Sequence, residues 1–413
     1  MKVLAGVDIV LPDRIVTHGS LLIDGSQIVG IDPRPRIEPA GAEIVDVGDA
    51  VVVPGFIDVH VHGVQGHDTL DGDDAVRAIA TLLPRYGVTA FCPTTVACGS
   101  AALRDFCDQV RRARVAGTSG ASRVLPAHLE SNFINPEFRG AQPAECLRAY
   151  GGARTVRQAA DGQSDAARTF TVREDFSADD ILSVIASARP DIGIITVAPE
   201  IDGGLDLVRA LVAAGHRVSL GHSGSDFETA IAAIDAGARH ATHLFNRMTA
   251  VTHRSPGLAG AVLAREDVAA ELICDGHHVH PAMCRVAIAA KGANRVMAIT
   301  DGTAGSGLAV GASARLGGRP IRVRDRAAVL DDGTLAGSTL TMDAAFRNIV
   351  NAFGGSVVEA ATLCSTTPAR ELGLTGFGVI APGATADVVV LDRALNVTRT
   401  FVGGEQVYPS RGL

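Results

Sequence analysis

The sequence predicts an α/β fold: a (β/α)8 TIM barrel with a small β-sandwich domain built from both termini. In the middle of the 413-residue chain, eight apolar stretches of strand length alternate with amphipathic stretches of helix length. Eight β/α units are what such a barrel requires. Both ends of the chain consist instead of short apolar stretches broken by Gly, Pro and Asp. No G-x-G-x-x-G follows an early strand, which argues against a doubly wound sheet.

We predict the barrel from residues 53–370 and the terminal domain from residues 1–52 and 371–413. In the first segment, Asp24 and Gly25 form a hairpin turn signal. The predicted barrel strands are GFIDVHVHG, VTAFCPTT, RVLPAHLE, IGIITVAPE, RVSLGHS, HATHLFN, VAAELICDG and RVMAITD. Among the helices between them, DFETAIAAIDAGA follows Ser225 and contains Glu228, the S-x-x-E spacing of a capping box.

Two segments are longer than ordinary barrel connections. Residues 145–178, between the third and fourth strands, are polar and rich in Ala and Arg, and we interpret them as a lid or mobile loop. Residues 303–338, after the eighth strand, carry alternating runs around GGRPIRV and predict an inserted hairpin.

Composition excludes several classes of protein. Hydrophobic residues make up 47% and charged residues 20%, which is typical of a globular chain. A net charge of -8 argues against a sequence-independent nucleic-acid binder, whose affinity depends on cations that neutralise phosphates. The sequence contains no run of about 18 apolar residues, so we expect no membrane span. The seven cysteines form no CxxC pair, so we expect reduced thiols and a cytoplasmic protein.

Residues that can bind a metal follow five of the predicted strands. In a TIM barrel the site lies at the C-terminal ends of the strands, and residues two apart on a strand point to one face. Burying so many polar groups without a metal or a complete hydrogen-bond network would be costly. These residues are His60 and His62 on the first strand, Glu130 on the third, His222 on the fifth, His243 on the sixth and Asp301 on the eighth.

We therefore expect one or two divalent ions per chain. Zn suits His and carboxylate ligands best, and Fe, Mn or Co suit them too. A single His at a strand end is more often an ordinary hydrogen-bonded residue, but five strands with ligand-type residues favour a metal. His128 alternates with Glu130 on the third strand, and we interpret it as either a support for the ligands or a structural residue.

These residues carry a resemblance to a known family. The stretches PGFIDVHVHG, AHLESNFIN, TVAPE, GHSGSDFETAIAAIDAGARHATHLFN, HRSPGLAG, DGHHVHP, AITD and GTLAGSTLTMDAAFRN occur in this order. Together they resemble the N-acetylglucosamine-6-phosphate deacetylases of the amidohydrolase superfamily. The resemblance covers essentially the whole chain. HxH alone is shared by many amidohydrolases, whereas the ordered set is specific.

The resemblance implies roles for the predicted residues. Glu130, His222 and His243 would hold the principal metal, and His60 and His62 a second one that only some members possess. Asp301 would be the catalytic acid/base, taking a proton from the attacking water and giving it to the departing amine. The substrate, a small-molecule sugar phosphate, would contact Asn246, Arg247, Arg254 and His278, with Gln142 near the reacting amide. The resemblance also implies a homodimer.

Three differences from the family pattern point to a divergent substrate. After the third strand the family reads HLEGP, whereas this chain has Ser131 and Asn132 in place of Gly and Pro. Twelve residues after the glutamate the family has a His, and here Gln142 can donate a hydrogen bond but cannot carry a proton. The residue after Asn246 is usually small, and here it is Arg247, a cation that either strengthens anion binding or fills the space and changes the pocket.

Two other functions stay open. One keeps the machinery but acts on a different N-acyl or cyclic amide. The fourth strand, IGIITVAPE, lacks the carboxylated Lys with which several amidohydrolase types bridge two metals, which disfavours dihydroorotase- and hydantoinase-like activities. The other is a sugar-phosphate binding protein whose catalysis has decayed, and the retention of Asp301 argues against it.

Overall fold

The computed structural model describes residues 1–117, 119–150, 176–325 and 327–410. The chain begins with five strands: β1 (Lys2–Val10), β2 (Ile15–Asp24), β3 (Gln27–Asp32), β4 (Glu43–Val45) and β5 (Val51–Pro54). β1, β2 and β3 pair antiparallel. The predicted turn at Asp24 and Gly25 is confirmed: Asp24 pairs with Gln27, and Gly25 has a φ of 53°, which glycine adopts without strain.

The predicted barrel is confirmed. Its strands are β6 (Phe56–Val61), β9 (Val88–Thr95), β10 (Arg123–Val124), β11 (Ala127–Leu129), β12 (Ile192–Val197), β13 (Arg217–Leu220), β14 (His240–Ala241), β15 (Ala269–Ile273) and β16 (Val296–Ile299). A small hairpin, β7 (Gly63–Val64) and β8 (His67–Asp68), follows the first of them. The third predicted strand is divided into β10 and β11, with Pro126, which has no N–H for the ladder, between them.

Parallel pairing runs from β6 through β9, β11, β12, β13, β14 and β15 to β16. Backbone hydrogen bonds then close the barrel between its last and first strands. Asp301 N donates to His60 O (2.9 Å), and His62 N donates to Gly302 O (2.7 Å). The closing hydrogen bonds therefore bring three of the predicted site residues together.

The predicted insertion after the barrel's last strand is present and larger than a hairpin. It is an antiparallel sheet of β17 (Ser313–Leu316), β18 (Arg319–Arg324), β19 (Ala327–Val329) and β20 (Leu335–Ser338). We call it the inserted sheet. Its apolar residues Leu316, Ile321 and Leu330 form a small core with Val96 of the barrel.

The C-terminal strands complete the sheet that begins at the N-terminus. They are β21 (Val388–Leu391), β22 (Val397–Val402) and β23 (Glu405–Tyr408). β5 joins the two ends, because it pairs parallel with β1 and antiparallel with β21. Alternate residues face alternate cores: Val52 packs in the core of the terminal sheet, whereas Val51 and Val53 pack in the core of the barrel.

The helices lie between the barrel strands and after the inserted sheet. They are α1 (Ala75–Leu82), α2 (Ser100–Ala116), α3 (Ala178–Ser187), α4 (Gly204–Ala213), α5 (Phe227–Asp235), α6 (Gly257–Ala264), α7 (Pro281–Lys291), α8 (Met342–Asn351), α9 (Val357–Ala361) and α10 (Thr367–Glu371). Within the described residues, none of them has both the length and the apolar character that a bilayer crossing needs.

The start of α5 corrects one prediction. Asp226, not Ser225, is its N-cap, and its side chain accepts a hydrogen bond from Thr229 N (2.8 Å). Ser225 is buried, and its backbone N–H and hydroxyl bond Ser223 Oγ instead, so its side chain is not available as a cap. The predicted lid at 145–178 falls mainly on residues 151–175, which lie outside the described residues.

Candidate active site

The six predicted metal and acid/base residues lie together at the C-terminal ends of the barrel strands. All of them are buried. His222, His243 and Asp301 follow strands with φ values of 48°, 30° and 48°. L-residues adopt this left-handed region at a cost, and such strain is concentrated at functional sites. The six residues are His60, His62, Glu130, His222, His243 and Asp301.

Glu130, His222 and His243 form the first group of ligand atoms. Glu130 Oε1 lies 2.6 Å from His222 Nε2 and 2.8 Å from His243 Nε2. The two Nε2 atoms are 3.1 Å apart. On its other side, His222 Nδ1 donates to the backbone carbonyl of Phe138 (2.8 Å), which leaves Nε2 to face the group.

This arrangement fits a cation. The three atoms are close to one another, and a single proton can satisfy only one of the three contacts. A cation at the point where they meet satisfies all three, since carboxylate oxygen and imidazole nitrogen are ordinary ligands of Zn and related metals. Glu130, His222 and His243 are also a full set of three protein ligands, which is the number found in catalytic zinc sites that leave a position open.

His60, His62 and Asp301 form a second group beside the first. His60 Nε2 lies 3.2 Å from His62 Nε2, and Asp301 Oδ1 lies 3.5 Å and 3.3 Å from these two atoms. Burial raises the pKa of Asp301, but His60 and His62 lower it by more, so its pKa lies below the ordinary value. Asp301 is therefore held as a carboxylate at neutral pH.

Glu130 lies between the two groups. Its Oε1 atom contacts the first group, whereas its Oε2 atom lies 3.4 Å from His62 Nε2. Burial raises the pKa of Glu130, but the surrounding imidazoles, with that of His222 first among them, bring it well below its ordinary value. One carboxylate can thus serve both groups, as the absence of a bridging Lys on the fourth strand suggests.

Two buried carboxylates that orient the site were missed from the sequence. Glu271 Oε2 accepts from His60 Nδ1 (2.9 Å) and from His243 N (3.3 Å). Asp58 Oδ1 accepts from His60 N (3.2 Å), and its Oδ2 accepts from Thr300 Oγ1 (2.6 Å). Burial raises the pKa of each to about 7. The sequence feature that could have identified them is an acidic residue between apolar neighbours in a strand, in FIDVHV and AAELI.

His128 is a support rather than a ligand. Its Nδ1 atom donates to Val59 O (3.1 Å), and its Nε2 atom accepts from Thr196 Oγ1 (2.9 Å). Both ring nitrogens are therefore occupied. The ring packs edge-on against that of His60, with 4.6 Å between centroids, so it fixes the position of a candidate ligand.

A cavity of about 460 Å³ opens over both groups, within the range of small-molecule sites. Of the predicted substrate residues, Asn246, Arg247, His278 and Gln142 line it. Leu316, Leu335 and Gly337 of the inserted sheet line it too. Arg254 is exposed and is not among the described residues that line this cavity, so its role in substrate binding stays a prediction.

His278 lines the cavity and has one ring nitrogen without a partner among the described residues. Its Nδ1 atom is 2.6 Å from Asp275 Oδ2, and Asp275 Oδ1 accepts from the backbone N–H of His277 and of His278 (2.8 Å each). The Nε2 atom is buried and has no partner among the described residues. Asp275 is a further functional candidate that sequence reasoning missed, although it precedes the His cluster directly.

Ser131 and Asn132 have structural partners. Ser131 Oγ bonds Thr196 O, and Asn132 Nδ2 donates to Cys98 O (2.8 Å) and Cys146 O (2.7 Å). Both side chains are buried and join the loop after β11 to its neighbours. The departure from Gly-Pro at this point therefore stabilises the loop path that this chain adopts.

Comparison with known proteins agrees with this geometry. Residues 51–407 match the Amidohydrolase family. The chain is 31% identical to the N-acetylglucosamine-6-phosphate deacetylase of Bacillus subtilis over 98% of its own length and 96% of that protein. It is 32% identical to the N-acetylgalactosamine-6-phosphate deacetylase of Escherichia coli, over 95% of this chain and 97% of that one.

Among solved structures, an N-acetyl-D-glucosamine-6-phosphate deacetylase mutant of Mycobacterium smegmatis, in complex with N-acetyl-D-glucosamine-6-phosphate, matches with a TM-score of 0.84. It is 31% identical, over 98% of this chain and 99% of that one. The chain thus has the barrel and the paired ligand groups of a metal-dependent hydrolase. It belongs to the amidohydrolase family and, within it, to the N-acetylglucosamine-6-phosphate deacetylases.

Proposed function

We propose that the protein hydrolyses the N-acetyl amide of N-acetylglucosamine-6-phosphate to give glucosamine-6-phosphate and acetate. The observation that carries this proposal is a single cavity lined by residues of both ligand groups and by Asn246, Arg247 and His278. The ligand groups, which include Asp301, suit the hydrolysis of an amide. The basic and hydrogen-bonding side chains of the other three residues suit a phosphate.

Glu130, His222 and His243 would hold the principal divalent ion, and His60 and His62 a second one. When bound, such an ion polarises a carbonyl and lowers the pKa of a water ligand from 15.7 toward about 7. Zn is our first choice, with Fe, Mn and Co as alternatives.

Asp301 is the proposed acid/base. As a carboxylate it accepts a proton from the water that attacks the acetyl carbonyl carbon. After the new C–O bond forms, it donates that proton to the amide nitrogen as the C–N bond breaks. Its Oδ1 atom lies 3.5 Å from His60 Nε2 and 3.3 Å from His62 Nε2, and Asp301 lines the cavity.

Arg247 and His278 are the proposed phosphate contacts. A guanidinium can donate two parallel hydrogen bonds to a phosphate. His278 lines the same cavity, and its Nε2 atom has no partner among the described residues. Asn246 lines the same cavity, where it can orient the sugar. We propose Gln142 as a further residue of this cavity.

We also propose the domain division at residues 1–52 with 371–413 and 53–370, and a homodimer. The shared sheet of β1–β5 and β21–β23 supports the division. Light scattering coupled to gel filtration tests the dimer.

Acetate release from N-acetylglucosamine-6-phosphate, its galactosamine epimer and the unphosphorylated sugar tests the substrate. We expect turnover of a phosphorylated sugar, with a large loss on removing the phosphate. Preference for the epimer would keep the reaction but change the sugar. Absence of turnover on all three, with metal bound, would refute the proposal and favour another amide substrate.

A further inference from the structure

Gln142 is buried between two loops at the edge of the cavity and makes two side-chain hydrogen bonds. Its Oε1 atom accepts from the backbone N–H of Ala97 (2.7 Å), in the loop after β9. Its Nε2 atom donates to Glu130 Oε2, at the end of the third barrel strand. The side chain therefore connects a fixed backbone group to the central carboxylate of the site.

The two partners define the orientation of the amide. A backbone N–H can only donate, so the oxygen of Gln142 must face Ala97. An ionised carboxylate can only accept, so the NH2 group must face Glu130. Reversing the amide would place donor against donor at one end and acceptor against acceptor at the other. Within this network the amide has one satisfied orientation.

The loop that carries Gln142 is itself held in place. Arg319 of the inserted sheet donates to Ala141 O (2.7 Å). The side chain of Arg247 lies over Gly140, so closely that a Cβ atom at Gly140 would be 2.5 Å from Arg247 Nε. Gly140 also has a φ of 58°, which glycine tolerates. The backbone directly before Gln142 is thus held by a hydrogen bond from Arg319 and packed against Arg247.

We propose that Gln142 is a positioning residue for Glu130 and not a substrate contact. By donating to Oε2, it orients the carboxylate so that Oε1 faces His222 and His243 and Oε2 faces His62. This inference rests on the proposed function, because it takes Glu130 to be a metal ligand. The family pattern places the residue at this position beside the substrate. In this chain Gln142 would instead orient Glu130.

The choice of Gln over His follows from this task. A primary amide donates a hydrogen bond at every pH in the working range, whereas a neutral imidazole can present either a donor or an acceptor on a given nitrogen. Partners that orient metal ligands in this way affect metal affinity by about 10- to 100-fold when they are removed.

The test compares metal affinity with substrate kinetics in full-length protein. The Zn²⁺ dissociation constant is measured by competition with a chromogenic chelator for the native protein, Gln142→Ala and Gln142→Met. The second variant preserves most of the side-chain volume but has no N–H donor. We expect the dissociation constant to rise about 10- to 100-fold in both variants. At saturating Zn²⁺ we expect KM to be unchanged.

Gln109→Ala is the matched control, since Gln109 is a buried glutamine of α2, away from the site, with the same 4% exposure as Gln142. It should leave the Zn²⁺ dissociation constant unchanged. A Gln142 variant with native Zn²⁺ affinity and a raised KM would overturn the proposal, because that is the signature of a substrate contact.

Glu130→Gln separates the two proposals. If it loses Zn²⁺ affinity while the Gln142 variants retain it, the metal site stands and the positioning role fails. If Glu130→Gln also binds Zn²⁺ like the native protein, the proposed metal site itself is wrong.

Discussion

His222 and His243 approach each other with their Nε2 atoms 3.1 Å apart, both within 2.8 Å of one oxygen of Glu130. We predict that Glu130→Gln removes at least one equivalent of bound metal, because a neutral amide is a poorer ligand than a carboxylate. Metal content after dialysis, measured by atomic emission, checks it. Glu137→Gln is the control, since Glu137 lines the same cavity but is exposed. Equal metal in Glu130→Gln and native protein would contradict the assignment.

Asp301→Asn tests the acid/base. The amide keeps the shape of the side chain but cannot accept the proton of water, so we expect kcat to fall by about 10²- to 10⁴-fold. Metal content and the thermal unfolding midpoint are measured alongside, to show that the variant remains folded and loaded. Unchanged turnover would remove Asp301 from the mechanism.

Glu271→Gln tests a residue that only the structure identifies. Its carboxylate accepts a hydrogen bond from His60 Nδ1, and a neutral group in its place weakens this hydrogen bond and so orients the His60 ring less firmly. We expect metal affinity or kcat to fall about 10- to 100-fold. Because burial raises the pKa of Glu271 to about 7, an uncharged isostere reduces the cost of desolvation, and the variant should remain folded. Native metal affinity together with native kcat would show that Glu271 is only structural.

Arg247→Ala and His278→Ala test the phosphate contacts. Loss of one charged hydrogen bond costs about 1.5 to 3 kcal/mol, or roughly 10- to 100-fold in KM for the phosphorylated sugar. KM for the unphosphorylated sugar should change little. Equal effects on both sugars would contradict a phosphate contact. Arg254→Ala in the same assay tests the remaining prediction from the sequence.

The barrel and the positions of its ligands could be predicted because both follow from local patterns. Each strand is a short apolar run, and the C-terminal ends of parallel barrel strands meet at one mouth, so His60, Glu130 and His243 had to converge. The start of α5 could not be placed to the residue, because Ser225 and Asp226 are both good caps and only the packed structure shows which one is free.

The supporting residues could not be predicted for a different reason. Glu271 and Asp275 act through partners far away in the chain or across a turn. A sequence pattern does not show which groups donate hydrogen bonds to them. Gln142 lines the cavity, but the two partners of its amide lie in other loops, and no sequence pattern shows them. Arg254 is exposed in the described structure, and its role at the phosphate stays a prediction.

Metal-dependent acetate release is the most direct test of the proposed function. Purified protein is stripped with a chelator, assayed on N-acetylglucosamine-6-phosphate, reloaded with Zn²⁺ and assayed again, with Glu130→Gln treated in parallel. We predict loss of acetate release on stripping, recovery on reloading, and no comparable recovery in the variant. Full activity in the stripped protein, or none in the reloaded native protein, would contradict the proposed function.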